Sequence, residues 1–62
     1  MNPTPRANST GVCRFDYRHE AEQFMLETER EFPSIAYGTW FQMKQEAGTP
    51  AWLVQYSIGG AE

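Results

Sequence analysis

The strongest constraint on this chain is one apolar stripe that runs into a proline. Ala21, Phe24, Met25, Thr28 and Phe32 recur at spacings of 3, 4, 3 and 4, the period of one face of an α-helix. Pro33 follows directly, and the residue before a proline resists helical geometry. A helix over His19–Phe32 is therefore expected, with one side to bury and a second layer needed to bury it. Asp16 stands where its carboxylate can cap the first turn.

The flanking segments have the other period. Val12–Tyr17 alternates, with Cys13, Phe15 and Tyr17 on one face and Arg14 and Asp16 on the other, as a half-buried strand does. Ile35–Gln45 and Trp52–Ile58 read as two strands joined by Glu46–Ala51. That connection pairs Gln45 with Trp52, Met43 with Val54, Phe41 with Tyr56 and Thr39 with Ile58. Phe41, Met43, Trp52, Val54, Tyr56 and Ile58 then share a face, and a slip of one residue scatters them. Gly38 is expected to mark a bulge or bend.

These elements give an α+β fold in the order β-α-β-β: a three-stranded, mainly antiparallel sheet with one helix packed on one face. The first crossover is expected to be right-handed. The last strand is the most apolar, which favours spatial order 1-3-2, with 1-2-3 as the alternative. Residues 12–58 form a single domain between a flexible N-terminal tail, 1–11, and a short C-terminal tail, 59–62. A chain of 62 residues buries only about 60% of the surface its unfolded form exposes. Its single cysteine forms no internal disulfide, so aromatic burial and self-association are the remaining supports.

The helix concentrates charge. Between Glu20 and Glu31 lie five glutamates and one arginine, a local charge of −4. Glu20, Glu27 and Glu31 line one flank, and Glu22 and Glu29 the other. Arg30 stands three residues from Glu27, within helical pairing distance. A field of this sign attracts basic surfaces and speeds their association. The plainer reading is a solvated helix face, since glutamate is a good helix former. Leu26, off the stripe, reads as a residue at the rim of the core. The face of the sheet away from the helix carries Trp40, Gln42, Lys44, Leu53, Gln55, Ser57, Val12 and Arg14. Trp40 and Leu53 are large apolar groups there, which suits a contact with a second copy or another protein; scattered exposed apolar residues are the plainer account.

Several chemistries have no support. A net charge of −3 and a pI near 5.0 argue against direct nucleic-acid binding, which needs a basic surface. No apolar run approaches the roughly 20 residues of a membrane span, and the N-terminus lacks the apolar stretch of a signal peptide, so a cytoplasmic protein is expected. Cys13 faces inward as a small hydrophobe. His19 with Glu22 supplies two metal ligands and no second cluster completes a set. No phosphate-cradling or nucleophile motif is present. The expectation is a non-enzyme with no catalytic residues, no cofactor and no metal.

The helix HEAEQFMLETEREF followed by the hairpin YGTWFQMKQEAGTPAWLVQYSI resembles, in layout, small phage-encoded anti-CRISPR inhibitors. The resemblance implies a protein that blocks a nucleic-acid-handling complex by occupying its basic groove, with carboxylates standing in for phosphates. Two function classes follow. In the first, a small acidic module binds a basic protein or nucleoprotein surface through Glu20, Glu27 and Glu31, with Glu22 and Glu29 secondary. In the second, a homodimeric accessory or regulatory protein pairs through the open sheet face and buries Trp40 and Leu53.

Overall fold

The computed structural model describes residues 2–60. Five elements follow in order: β1 (Ser9–Phe15), α1 (Arg18–Glu31), the one-turn α2 (Ser34–Tyr37), β2 (Trp40–Gln45) and β3 (Trp52–Ile58). The strands form one sheet of order β1-β3-β2, and both pairings are antiparallel. The fold is α+β in the order β-α-β-β, with β3 at the centre. Met1, Ala61 and Glu62, parts of the two expected tails, lie outside the described residues.

Alternation along β3 places the core. Val54, Tyr56 and Ile58 are buried, and Cys13 of β1 joins them. Gln45, Met43 and Phe41 oppose Trp52, Val54 and Tyr56, the register that gathers the apolar side chains under the helix. The expected Thr39–Ile58 pair falls outside the ladder, because β2 begins at Trp40. Thr39 is instead buried beside the end of α1, where its hydroxyl donates to the Phe32 carbonyl. Ala21 and Thr28 are the buried residues of α1. Phe24 lies between Phe15 and Tyr56, with ring centroids 5.3 and 6.1 Å away, within the range of favourable aromatic contacts.

Three boundaries differ from expectation, each for a local reason. The N-cap of α1 is Tyr17, extended at φ −129° and ψ 144°, with no side-chain cap bond. Its carbonyl accepts the amides of Glu20 and Ala21. Asp16 instead lies 3.8 Å from the Arg14 guanidinium. Tyr17, expected inward with Cys13 and Phe15, lies beyond the end of β1, is 61% exposed and stacks on His19 at 5.6 Å.

The segment expected to begin the second strand at Ile35 is a helical turn. Pro33 opens it, Glu29 accepts the Ser34 amide at 2.7 Å, and Gly38 closes it at φ 65°. That left-handed conformation is where glycine is favoured, so Gly38 is a helix end and not a strand bulge. Ile35 is left 97% exposed.

The third difference is at the N-terminus. β1 starts at Ser9, three residues before Val12, because Ser9, Thr10 and Gly11 pair with Ile58, Ser57 and Tyr56. Upstream of them the chain doubles back. Arg6 and Ser9 bond reciprocally, the Arg6 amide donating to the Ser9 hydroxyl at 3.0 Å and that hydroxyl donating to the Arg6 carbonyl at 2.6 Å. Asn8 sits at φ 59°, a conformation asparagine tolerates better than most residues. The Asn2 side chain donates to the Arg14 carbonyl at 2.9 Å and accepts the Arg14 amide at 2.8 Å. An amide side chain thus stands where a neighbouring strand would. At the other end, Gly59 donates to the Tyr37 carbonyl at 2.8 Å and accepts from the Asn8 amide at 3.2 Å.

Two stability predictions follow. A Cβ at Gly11 would lie 2.7 Å from the Tyr56 hydroxyl and 2.9 Å from the ring carbon bearing it. Gly11→Ala is expected to destabilise by about 1–3 kcal/mol through overpacking, read as a lower urea midpoint. Adding Tyr56→Phe removes the nearest atom and should recover part of the loss, because the ring still crowds the site. The second concerns Cys13, whose thiol burial pushes above its ordinary pKa. The folded state then keeps the proton to higher pH than the unfolded state. Stability is unaffected below the unfolded thiol's pKa of about 8.5 and falls as pH rises through it. Thermal melts across alkaline pH should therefore fall less steeply for Cys13→Ala than for the wild type.

Candidate functional site

Helix α1 lies over β1 and β3 and makes little contact with β2. The stripe Ala21–Thr28 faces the sheet, so the residues to either side of it form two flanks in solvent. The five glutamates divide between them, and only Glu22 has a cation within ion-pair distance among the described residues.

On one flank one carboxylate is paired with a cation and the other bonds a backbone amide. Arg18, which α1 includes as its first residue, donates to Glu22 at 3.2 Å one turn away. Glu29 accepts the Ser34 amide and so holds the start of α2. The Glu29 role depends on α2, which no periodicity of the apolar residues announces. The Arg18–Glu22 pair is a plain i, i+4 spacing, and it lies outside the expected helix by a single residue. Leu26, expected at the rim of the core, is 55% exposed.

On the other flank Glu20, Glu27 and Glu31 are all exposed. Glu27 accepts the Gln23 side-chain amide at 2.9 Å, and no ion pair joins Arg30 to it. Among the described residues none of the three carboxylates has a cation within ion-pair distance. At 1.5 Å per residue, Glu20 to Glu31 spans about 16 Å of helix.

Beside these carboxylates run two shallow dents that share Phe24 and Glu27. One is lined by Phe15, His19, Glu20, Gln23, Phe24 and Glu27. The other adds Thr4, Pro5, Thr28 and Glu31. The surface is therefore a groove with aromatic side chains at its base and a carboxylate rim, bounded by α1 on one side and by β1 and the N-terminal segment on the other. The contribution of Thr4 and Pro5 was not expected from the sequence, since residues 1–11 read as a tail; Ser9, able to bond backbone groups locally, is the available signal.

The open sheet face holds its predicted residues. Trp40 is 49% and Val12 51% exposed, whereas Leu53 is half-buried in a dent with Val12, Gln42, Lys44 and Gln55. Arg14 on this face lies 3.5 Å from Glu46. Trp40 and Leu53 do not form one apolar patch: Trp40 opposes Ser57, and Leu53 opposes Lys44 and Arg14.

The arrangement can attract and hold cationic groups. Among the described residues no three His, Cys, Asp or Glu side chains converge as a metal site would require, and no helix is long and apolar enough to cross a membrane. His19 is stacked on Tyr17, and Cys13 is buried with its thiol directed at the Pro3 carbonyl, 3.7 Å away. Comparison of the chain with known protein families, curated proteins and solved structures finds no match.

Proposed function

We propose that this protein is a non-enzymatic binding module whose Glu20–Glu27–Glu31 flank docks on a basic surface of another protein or nucleoprotein complex. One observation carries the reading: of five helix glutamates, the three on this flank are exposed without a cation among the described residues, and they border a groove based on Phe15 and Phe24. A protein that used glutamate only for solubility and helix propensity has no need to collect uncompensated charge along an apolar groove. The pairing of the two features suits a partner segment that brings lysines or arginines for the rim and an apolar side chain for the floor. Such a segment gains orientation and encounter rate from the charge, and residence time from the apolar contact.

In its more specific form the module is an inhibitor carried by a mobile element. It occupies the groove through which a nucleic-acid-handling complex holds its phosphate backbone. The carboxylates then occupy the positions of phosphates, and binding competes with nucleic acid.

The test compares capture from the native host's lysate by the wild-type chain and by Glu20→Gln/Glu27→Gln/Glu31→Gln. The triple variant keeps the helix formers and the groove floor, so its circular dichroism and melting temperature should stay near the wild type. A partner with a basic surface is expected to be captured by the wild type, to be released as salt is raised, and to bind the triple variant at least tenfold more weakly at low salt. Glu22→Gln/Glu29→Gln should change that affinity much less. A partner that binds the triple variant as tightly as the wild type removes the electrostatic reading, and one that does not compete with nucleic acid removes the inhibitor form of it.

A further inference from the structure

The two outer edges of the sheet are finished differently. In an antiparallel ladder, alternate residues turn their N–H and C=O groups toward one neighbour and then the other. Asn2 occupies both backbone groups of Arg14 from outside β1, and Glu46 donates to Ala51 across the hairpin. Both bonds set the same phase. Leu53, Gln55 and Ser57 exchange bonds with Lys44, Gln42 and Trp40, while Trp52, Val54 and Tyr56 bond to β1. The backbone groups of Phe41, Met43 and Gln45 consequently point away from the sheet, with no partner among the described residues. The chain's own Asn2 caps the β1 edge at Arg14 and the segment after it runs past Cys13, while the outward groups of Val12 and Thr10 have no partner among the described residues. The β2 edge has no proline and its ladder with β3 has no bulge, so it is open to a further strand.

From this asymmetry we infer that β2 pairs antiparallel with β2 of a second copy, about a two-fold axis at Gln42. The result is one continuous sheet of order β1-β3-β2-β2-β3-β1. Among two-folds at Gln42, Met43 and Lys44, the side chains select the first. A two-fold at Lys44 sets lysine against lysine, which is unfavourable. One at Met43 sets the Trp40 ring against Glu46, an anion facing a negative π-surface. With the axis at Gln42, Trp40 of each copy lies opposite Lys44 of the other, a cation–π pair formed twice. Phe41 lies opposite Met43, a sulfur–aromatic pair formed twice, and Gln42 meets its own counterpart, amide to amide. Trp40 and Lys44 then occupy the non-hydrogen-bonded position, where opposed side chains come closest. Each has what that contact needs. Trp40 is half exposed, and Lys44 is exposed with no carboxylate in ion-pair range among the described residues.

The same residues argue against stacking the open faces on each other. That face carries Arg14, Gln42, Lys44 and Gln55 around Leu53, and stacking would strip water from all of them. Edge pairing leaves them wet. It also leaves the groove of Glu20, Glu27 and Glu31 untouched, because that groove is bounded by β1 and Thr4 on the far side of the molecule. The inference therefore stands or falls separately from the proposed function.

Sedimentation equilibrium of the intact chain, from micromolar to about a millimolar, provides the test. The wild type is expected to form a concentration-dependent dimer. In the dimer the Phe41 and Met43 amides should become protected from hydrogen exchange as concentration rises. Trp40→Lys sets like charges opposite each other at both symmetric positions and should raise the dissociation constant by about tenfold or more. Adding Lys44→Glu makes both positions ion pairs and should restore dimerisation to near the wild-type level, which separates loss of pairing from loss of fold. A monomer throughout that range overturns the inference. So does a dimer indifferent to Trp40→Lys, or one in which the double variant stays as weak as the single. If the edge instead accepts only an extended segment of another protein, the chain reads as a monomer and the inference fails in the same way.

Discussion

Tyr56 and Val54 sit at the middle of the central strand, and the other elements are placed by what they bring to that pair. β1 contributes Cys13 opposite Val54 and Gly11 opposite Tyr56. Glycine leaves room for the Tyr56 ring to lie across the neighbouring backbone. β2 contributes Met43 and Phe41, and α1 contributes Phe24 against the Tyr56 ring. With so few fully buried side chains, each large ring carries much of the apolar burial that offsets the chain's conformational entropy. A small core also limits how far it can shelter its surroundings. One helix covers two strands, the third is left at the margin, and the second face of the sheet stays in water.

Features with a period were legible in the sequence. Ala21, Phe24, Met25, Thr28 and Phe32 specify a helix and its buried side. The alternation in Trp52–Ile58 specifies a strand, its inward face and, through the facing set Phe41, Met43 and Gln45, the hairpin register. The spatial order followed because the most apolar strand belongs in the middle. What could not be read from a period was set by single hydrogen bonds. The turn at Ser34–Tyr37 exists because Glu29 takes the Ser34 amide and Gly38 accepts a left-handed backbone. The apolar residues Ile35 and Tyr37 mimic a strand there and conceal it. The N-terminal segment returns because Asn2 meets Arg14, an interaction over a sequence separation that no local pattern marks. Asp16 lost the cap to Tyr17 because Tyr17 itself is still extended and the helix begins only after it.

The charged surface was legible in kind but not in detail. Helical spacing sorted the glutamates onto two flanks correctly, since that depends only on 3.6 residues per turn. It could not show which of them the chain uses internally. Arg18 neutralises Glu22 because the helix begins one residue earlier than the apolar stripe suggests, and Glu29 is taken by an element the stripe does not contain. Both subtractions fall on the same flank. They leave that flank with one carboxylate unpaired by a cation, Glu29, against three on the flank bordered by Phe15 and Phe24. The groove itself depends on Thr4 and Pro5 being held near α1, so the most informative part of the site rests on the segment with the weakest sequence signal.

At the edges of the sheet the unsatisfied groups are backbone rather than side chain. Every strand in a three-stranded sheet except the central one presents a row of unpaired amides, and a small protein without disulfides has little stability to spare for an unintended partner. On β1 the solution is built in at one end, since Asn2 meets the backbone of Arg14 and two prolines that cannot donate follow in the same segment. On β2 the chain has the residues for a strand interior, including Phe41 and Met43 at positions the helix only partly covers. If exposure of that edge were merely tolerated, charge on both faces would be the cheaper choice. Instead the one cation, Lys44, stands four residues from the one exposed tryptophan. In an antiparallel self-pairing, that spacing makes each the natural neighbour of the other.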